Sequence, residues 1–243
     1  MILKSLKLIS CDKYASFGLG ALNKRSILAL IILLFGLISI DTLAQGTRQK
    51  IWLPLSVEKD LGRQFSVSLT QKFKFDNYVS DYESYYSKLG VSYEVNSIIE
   101  ASFSYKFVNK NVLRSSNKYW HDYYLDLYVK KKVHFIDAYF RTRIQSKNKG
   151  VIRHMINRGS DIHNRNKVKV EYLSQGIFSP YVALEYYYDI RNTKFDKFRN
   201  GLGVECEVYP NSSIDLLYYF GREINVTNPG KDRILQIGYE FDF

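Results

Sequence analysis

From Arg63 to Phe243 the sequence keeps a single dominant period of two. Phe65, Val67, Leu69, Phe73 and Phe75 alternate with Ser66, Ser68, Thr70, Lys72 and Lys74, and Ile99, Ala101, Phe103, Tyr105 and Phe107 alternate with Glu100, Ser102, Ser104 and Lys106. Leu89, Val91, Tyr93 and Val95 behave likewise, and the rhythm returns near 119–130, 133–145, 165–173, 180–190, 198–208, 214–221 and 233–243. Successive side chains of a strand point to opposite faces, so each run has one apolar and one polar face. No stretch beyond residue 44 sustains a helical period. Runs of about nine to thirteen residues suit strands that cross a membrane at a tilt.

The connections carry a second regularity. Short ones fall at 96–97, 131–132, 174–178 and 209–212, and longer polar ones near 76–82, 109–118, 146–162, 191–197 and 222–232. Short turns on one rim and long loops on the other are the arrangement of outer-membrane barrels. Counting strands back from the carboxyl end predicts ten spanning antiparallel strands beginning at Arg63, with twelve as the alternative. Residues 51–59 also alternate, but a spanning strand there would have to start outside the cell. Segment 45–60 is therefore expected to be a short extra strand or to lie in the lumen.

The last strand is specific. Leu235, Ile237, Tyr239, Phe241 and Phe243 place an apolar residue at every second position and end on an aromatic. Tyr239, Phe241 and Phe243 look like the last-strand signal that outer-membrane barrel assembly machinery reads. At the other end, residues 26–40 form a fifteen-residue uncharged run after Lys24 and Arg25, with Thr42 and Ala44 as small residues beyond it. A basic flank, a short apolar core and a small-residue exit describe an export signal cut after Ala44, shorter than the roughly 20 residues of a spanning helix. Residues 1–44 are thus expected to be a signal peptide and 45–243 a barrel exported through the periplasm to the cell outer membrane. A water-soluble secreted β-barrel is the competing fold.

Composition excludes other classes. Hydrophobic residues make up 46% and charged residues 24%, which argues against a disordered chain. Only two cysteines occur, and Cys206 alone would remain after cleavage, expected to face lipid and be inert. Neither an intramolecular disulfide nor a thiolate metal centre is then possible.

Several local features carry a resemblance. They are the early Trp52, the strand Phe140-Arg141-Thr142-Arg143-Ile144-Gln145, Ser179-Pro180-Tyr181 leading to Glu185, and Lys197-Phe198-Arg199 with Gly201 and Gly203. On these the stretch from Trp52 to Phe243 resembles the DUF2490-type family of Gram-negative outer-membrane β-barrels, a domain of unknown function. The resemblance implies a barrel in the outer membrane and brings no catalytic residue with it.

The residues themselves point away from catalysis. A barrel hydrolase needs a nucleophile or water held by a base with an orienting third group. His121, His134, His154 and His163 form no such local arrangement, and His121 and Asp122 point to opposite faces. A surface hydrolase built on His154, Asp161 and His163 is the one enzymatic alternative. No His-x-His or carboxylate-rich spacing suggests a metal, and no cofactor is expected.

The polar face instead reads as a lumen charge network of Asp122, Asp126, Asp137, Arg141, Arg143, Glu185, Asp189, Arg199 and Glu205. With a hairpin at Lys131-Lys132, Asp122 would stand opposite Arg141 or Arg143. The functional reading is a structural or interaction barrel, or a narrow small-solute pore with a charged lumen. Counted over 76–82, 109–118, 146–162, 191–199 and 222–233, four of the five longer connections carry net positive charge, which suits contact with lipopolysaccharide phosphates and outer-membrane lipid. Strand tyrosines such as Tyr119, Tyr123, Tyr186 and Tyr218 fit interfacial girdles. Export and strand faces argue against nucleic-acid binding, and oligomeric state is not legible.

Overall fold

A computed structural model describes residues 47–77, 81–110, 118–148, 161–174 and 176–243. The expected signal peptide, residues 1–44, lies outside the described residues. Eleven strands form one closed barrel: β1 (Thr47–Leu61), β2 (Phe65–Asp76), β3 (Asp81–Glu94), β4 (Ile99–Lys110), β5 (Lys118–Val133), β6 (Ile136–Asn148), β7 (Asp161–Tyr172), β8 (Phe178–Asp189), β9 (Lys194–Tyr209), β10 (Ser212–Glu223) and β11 (Lys231–Asp242). Each strand pairs antiparallel with the next, and β1 closes the ring against β11.

The strand count corrects the expectation of ten. Segment 47–61 is neither a short addition nor a lumen filler but a fifteen-residue wall strand, paired with β2 from Lys50 to Leu61. An odd number of up-and-down strands leaves the first and last running the same way, so the seam is parallel. The count of rims argues against a spanning strand at 51–59 because it would start on the loop rim, opposite the end of the last strand; β1 does start there, and it closes the ring by running parallel to β11. Odd strand numbers do occur in membrane barrels. In the seam the pairing runs Thr47–Trp52 and resumes at Leu55, and Pro54, which has no N–H to give, lies in the gap.

The β5–β6 hairpin is a second correction. It turns at His134 and Phe135, not at Lys131-Lys132. His134 takes a left-handed conformation at φ 53°, which lets Val133 and Ile136 close a two-residue turn. Moving the turn by three residues slides the partners by six. Asp122 therefore stands opposite Lys147, and Asp126 stands opposite Arg143.

The alternation is oriented with its polar face inward. Leu125 is 58% and Leu202 61% exposed on the outer wall, whereas Asp122 and Glu185 are each 1% exposed. Inside, Trp52, Tyr181, Ala183, Leu217, Tyr219 and Ile234 pack into an apolar cluster along β1, β8, β10 and β11. Glycines on β9 make room for it. A Cβ on Gly201 would meet the Tyr219 ring at 2.7 Å and Leu217 at 3.0 Å. The strands from β2 to β7 instead present charged and hydroxyl side chains to the interior.

Candidate functional site

The interior of the barrel is the candidate site, and its parts follow from the register. On the β5–β6 hairpin Arg143 donates Nε and Nη2 to the two oxygens of Asp126, both at 2.6 Å. The Tyr128 hydroxyl donates to Asp126 at 3.0 Å, and the Arg143 guanidinium lies 4.3 Å from the Tyr124 ring centre. Asp122 takes its cation from the other neighbour, with Lys106 Nζ at 2.5 Å, and accepts from the Tyr124 hydroxyl at 3.0 Å. Charge-assisted contacts of this kind are what a carboxylate excluded from water requires.

Glu185 is the hub of the next strands. Arg165 Nη2 donates to it at 2.7 Å, Arg199 Nη1 lies at 3.6 Å and Arg141 Nη2 at 3.9 Å. The hydroxyls of Tyr187 and Tyr219 each reach it at 3.3 Å, and Lys167 stands opposite it in the ladder. One carboxylate thus faces four basic side chains. Beside this hub, Trp52 is ringed by cations: Lys72 Nζ at 4.2 Å from the ring centre, Lys74 Nζ at 4.9 Å and the Arg199 guanidinium at 5.0 Å. Lys72 also donates to Gln236 at 2.8 Å.

The remaining expected network residues lie toward the rims. Asp189 accepts from the backbone N–H groups of Arg191 and Asn192 at the end of β8, capping the turn to β9. Glu205 pairs with Lys169 at 3.0 Å, and Asp137 stands opposite Lys132 and Glu171 near the short turns. At the loop rim Asp232 ties Arg48 at 2.9 Å and Lys197 at 2.7 Å, linking β1, β11 and β9. At the short-turn rim Glu58, Glu240 and Asp242 bring carboxylate oxygens within 4.8 Å of one another.

Along the middle of the strands the inward positions hold nine basic side chains (Lys72, Lys74, Lys88, Lys106, Arg141, Arg143, Arg165, Lys167 and Arg199) and five carboxylates (Glu83, Asp122, Asp126, Glu185 and Asp215). Sequence reasoning singles out Arg141, Arg143 and Arg199 but not Lys72, Lys74, Arg165 or Lys167. The signal that could have found them is parity, since all share the face that carries Asp126 and Glu185.

Of the hydrolase alternative, His154 lies outside the described residues. His163 sits in β7 opposite Gln145 and Asp189, with Nδ1 3.6 Å from Asp196. Tyr239, Phe241 and Phe243 all lie on the outer face, with Lys59 Nζ 4.3 Å from the Phe243 ring centre. Cys206 is half-buried.

No curated protein matches the chain. Among solved structures it is similar to a chain described as KdgM porin, at 13% identity and a TM-score of 0.43, covering 72% of this chain and 84% of that one. The profile of DUF2490, described as a protein of unknown function, matches residues 49–231. With about three-quarters of its length matched, the chain belongs to the DUF2490 family.

Proposed function

We propose that this protein is a non-enzymatic outer-membrane barrel that works as a narrow, water-filled pore favouring small anions. The observation that carries the reading is the charge surplus along the middle of the strands: nine basic side chains against five carboxylates. A barrel closed by its own side chains would pair its charges, because an uncompensated ion in a dry interior costs several kcal/mol. Four surplus cations need water and mobile counter-ions around them. Eleven strands lie between the filled eight-stranded barrels and the wide 16-stranded porins, which fits a narrow passage.

The outer wall supports the membrane setting. Phe103, Leu125, Ile144, Val182, Leu184 and Leu202 stand 47% to 61% exposed around the barrel, an arrangement suited to hydrocarbon and costly in water. The reading includes contact of the basic external loops with lipopolysaccharide phosphates, and use of the terminal strand by the barrel assembly machinery. Neither a cofactor nor nucleic acid enters it.

The test is planar-bilayer recording of the protein extracted from membranes in detergent. Its folded state is checked first by heat-dependent migration on a gel. Discrete current steps are expected. A folded barrel that inserts and passes no current contradicts the pore.

A further inference from the structure

Within that interior one cluster has more donors than acceptors. Arg141, Arg165 and Arg199 converge on Glu185 from β6, β7 and β9. Lys72 and Lys74 approach from β2, their Nζ atoms 4.2 and 4.9 Å from the Trp52 ring centre, with the Arg199 guanidinium 5.0 Å from the same ring. Lys167 stands opposite Glu185, and Glu83 adjoins Ser84 across from Lys74, so six cations surround two carboxylates and leave a local surplus of four. Lys74 has neither a hydrogen bond nor an ion pair among the described residues, and the Nε atoms of Arg141, Arg165 and Arg199 and Nε1 of Trp52 are buried donors without an acceptor there. Trp52, Arg141, Arg165 and Arg199 all occupy inward register positions, opposite Lys74, Lys167, Tyr187 and Glu185, so these N–H groups lie inside the barrel wall. A buried donor left unmet costs about 1–3 kcal/mol, which a solute acceptor would recover.

We propose that this cluster is a binding subsite for a small oxyanion carrying two or more negative charges, held by the guanidinium forks of Arg141, Arg165 and Arg199 and by Lys72 and Lys74. Glu185 already shows the chemistry, being a carboxylate gripped by guanidinia. Planar forks accept carboxylate and phosphate oxygens alike, and several cations favour a multiply charged anion over chloride. The inference rests on the pore reading for its access from solution, and its test is separable from it.

Trp52 reports on the site because three of these cations lie against its ring. The chain has two tryptophans, so Trp120→Phe isolates Trp52 emission in the detergent-folded barrel. Citrate and inorganic pyrophosphate are titrated separately, with sodium chloride at matched ionic strength. A saturable change with citrate, pyrophosphate or both is expected, and which of them saturates tells a carboxylate solute from a phosphate one. Lys72→Gln/Lys74→Gln should weaken it at least about tenfold, and this variant leaves no carboxylate without its cation. Lys132→Gln, at the short-turn rim, should leave it unchanged. An emission change that follows ionic strength alone, or equal affinity in the double variant, overturns the subsite. Saturable binding by a barrel that passes no current would remove the pore and leave the subsite. Chloride current without saturable binding would do the reverse.

Discussion

Arg143 and Asp126 stand seventeen residues apart in sequence and directly opposite one another in the β5–β6 ladder, joined by two parallel hydrogen bonds of 2.6 Å inside the barrel. Their fit requires the His134–Phe135 turn, since a hairpin three residues earlier would have offered Asp126 a different partner. Arg143→Gln leaves the buried Asp126 carboxylate without its cation, and the expected loss is about 3–5 kcal/mol. The double variant Arg143→Gln/Asp126→Asn should regain most of that. Urea unfolding followed by tryptophan emission in micelles measures both. Equal stability of the single variant and the parent would show that the pair is not what holds this hairpin.

The outward apolar face gives a sharper contrast between membrane and water. Leu125, near the middle of β5 and 58% exposed, neighbours Phe103 and Ile144 on the outer wall. Leu125→Arg should cost about 2–4 kcal/mol in lipid vesicles, the penalty of a cation at bilayer depth. On a wall facing water the same change would stay within about 0.5 kcal/mol. Folding titrations in vesicles distinguish the two.

Gly201 is present because Tyr219 and Leu217 occupy the space of its missing side chain. Gly201→Ala should destabilise the barrel by about 1–3 kcal/mol through overpacking. Gly176→Ala, where the nearest atom is a Ser174 oxygen at 3.7 Å, should be close to neutral. The temperature at which the folded gel band disappears reads both.

Much of the wall was legible before any coordinates, because a strand with one polar and one apolar face writes a period of two directly into the chain. The runs at 65–75 and 99–107 fall inside β2 and β4, and the run at 233–243 follows β11 to one residue past its end. Three things were not legible, each for a local reason. The His134 turn lacks the glycine or asparagine that usually marks positive φ, so the lysines before it looked like the tip. β1 alternates plainly, yet the count of rims excludes it because it would start on the loop rim, and only the parallel seam with β11 shows that it does. The cation cluster needed the register: Lys72, Arg165 and Arg199 come from β2, β7 and β9 and meet only once the ring is closed. Glu185 and Arg199, by contrast, were readable as inward charges without their partners being readable.

The surplus of basic side chains should make the lumen favour anions. The most direct measurement is the reversal potential of single channels under a tenfold potassium chloride gradient, for the parent and for Lys72→Gln/Lys74→Gln. The account predicts a potential on the chloride side of zero for the parent, moving toward zero when the two lysines are neutralised. A potential on the potassium side, or one that the double variant leaves unmoved, would contradict it.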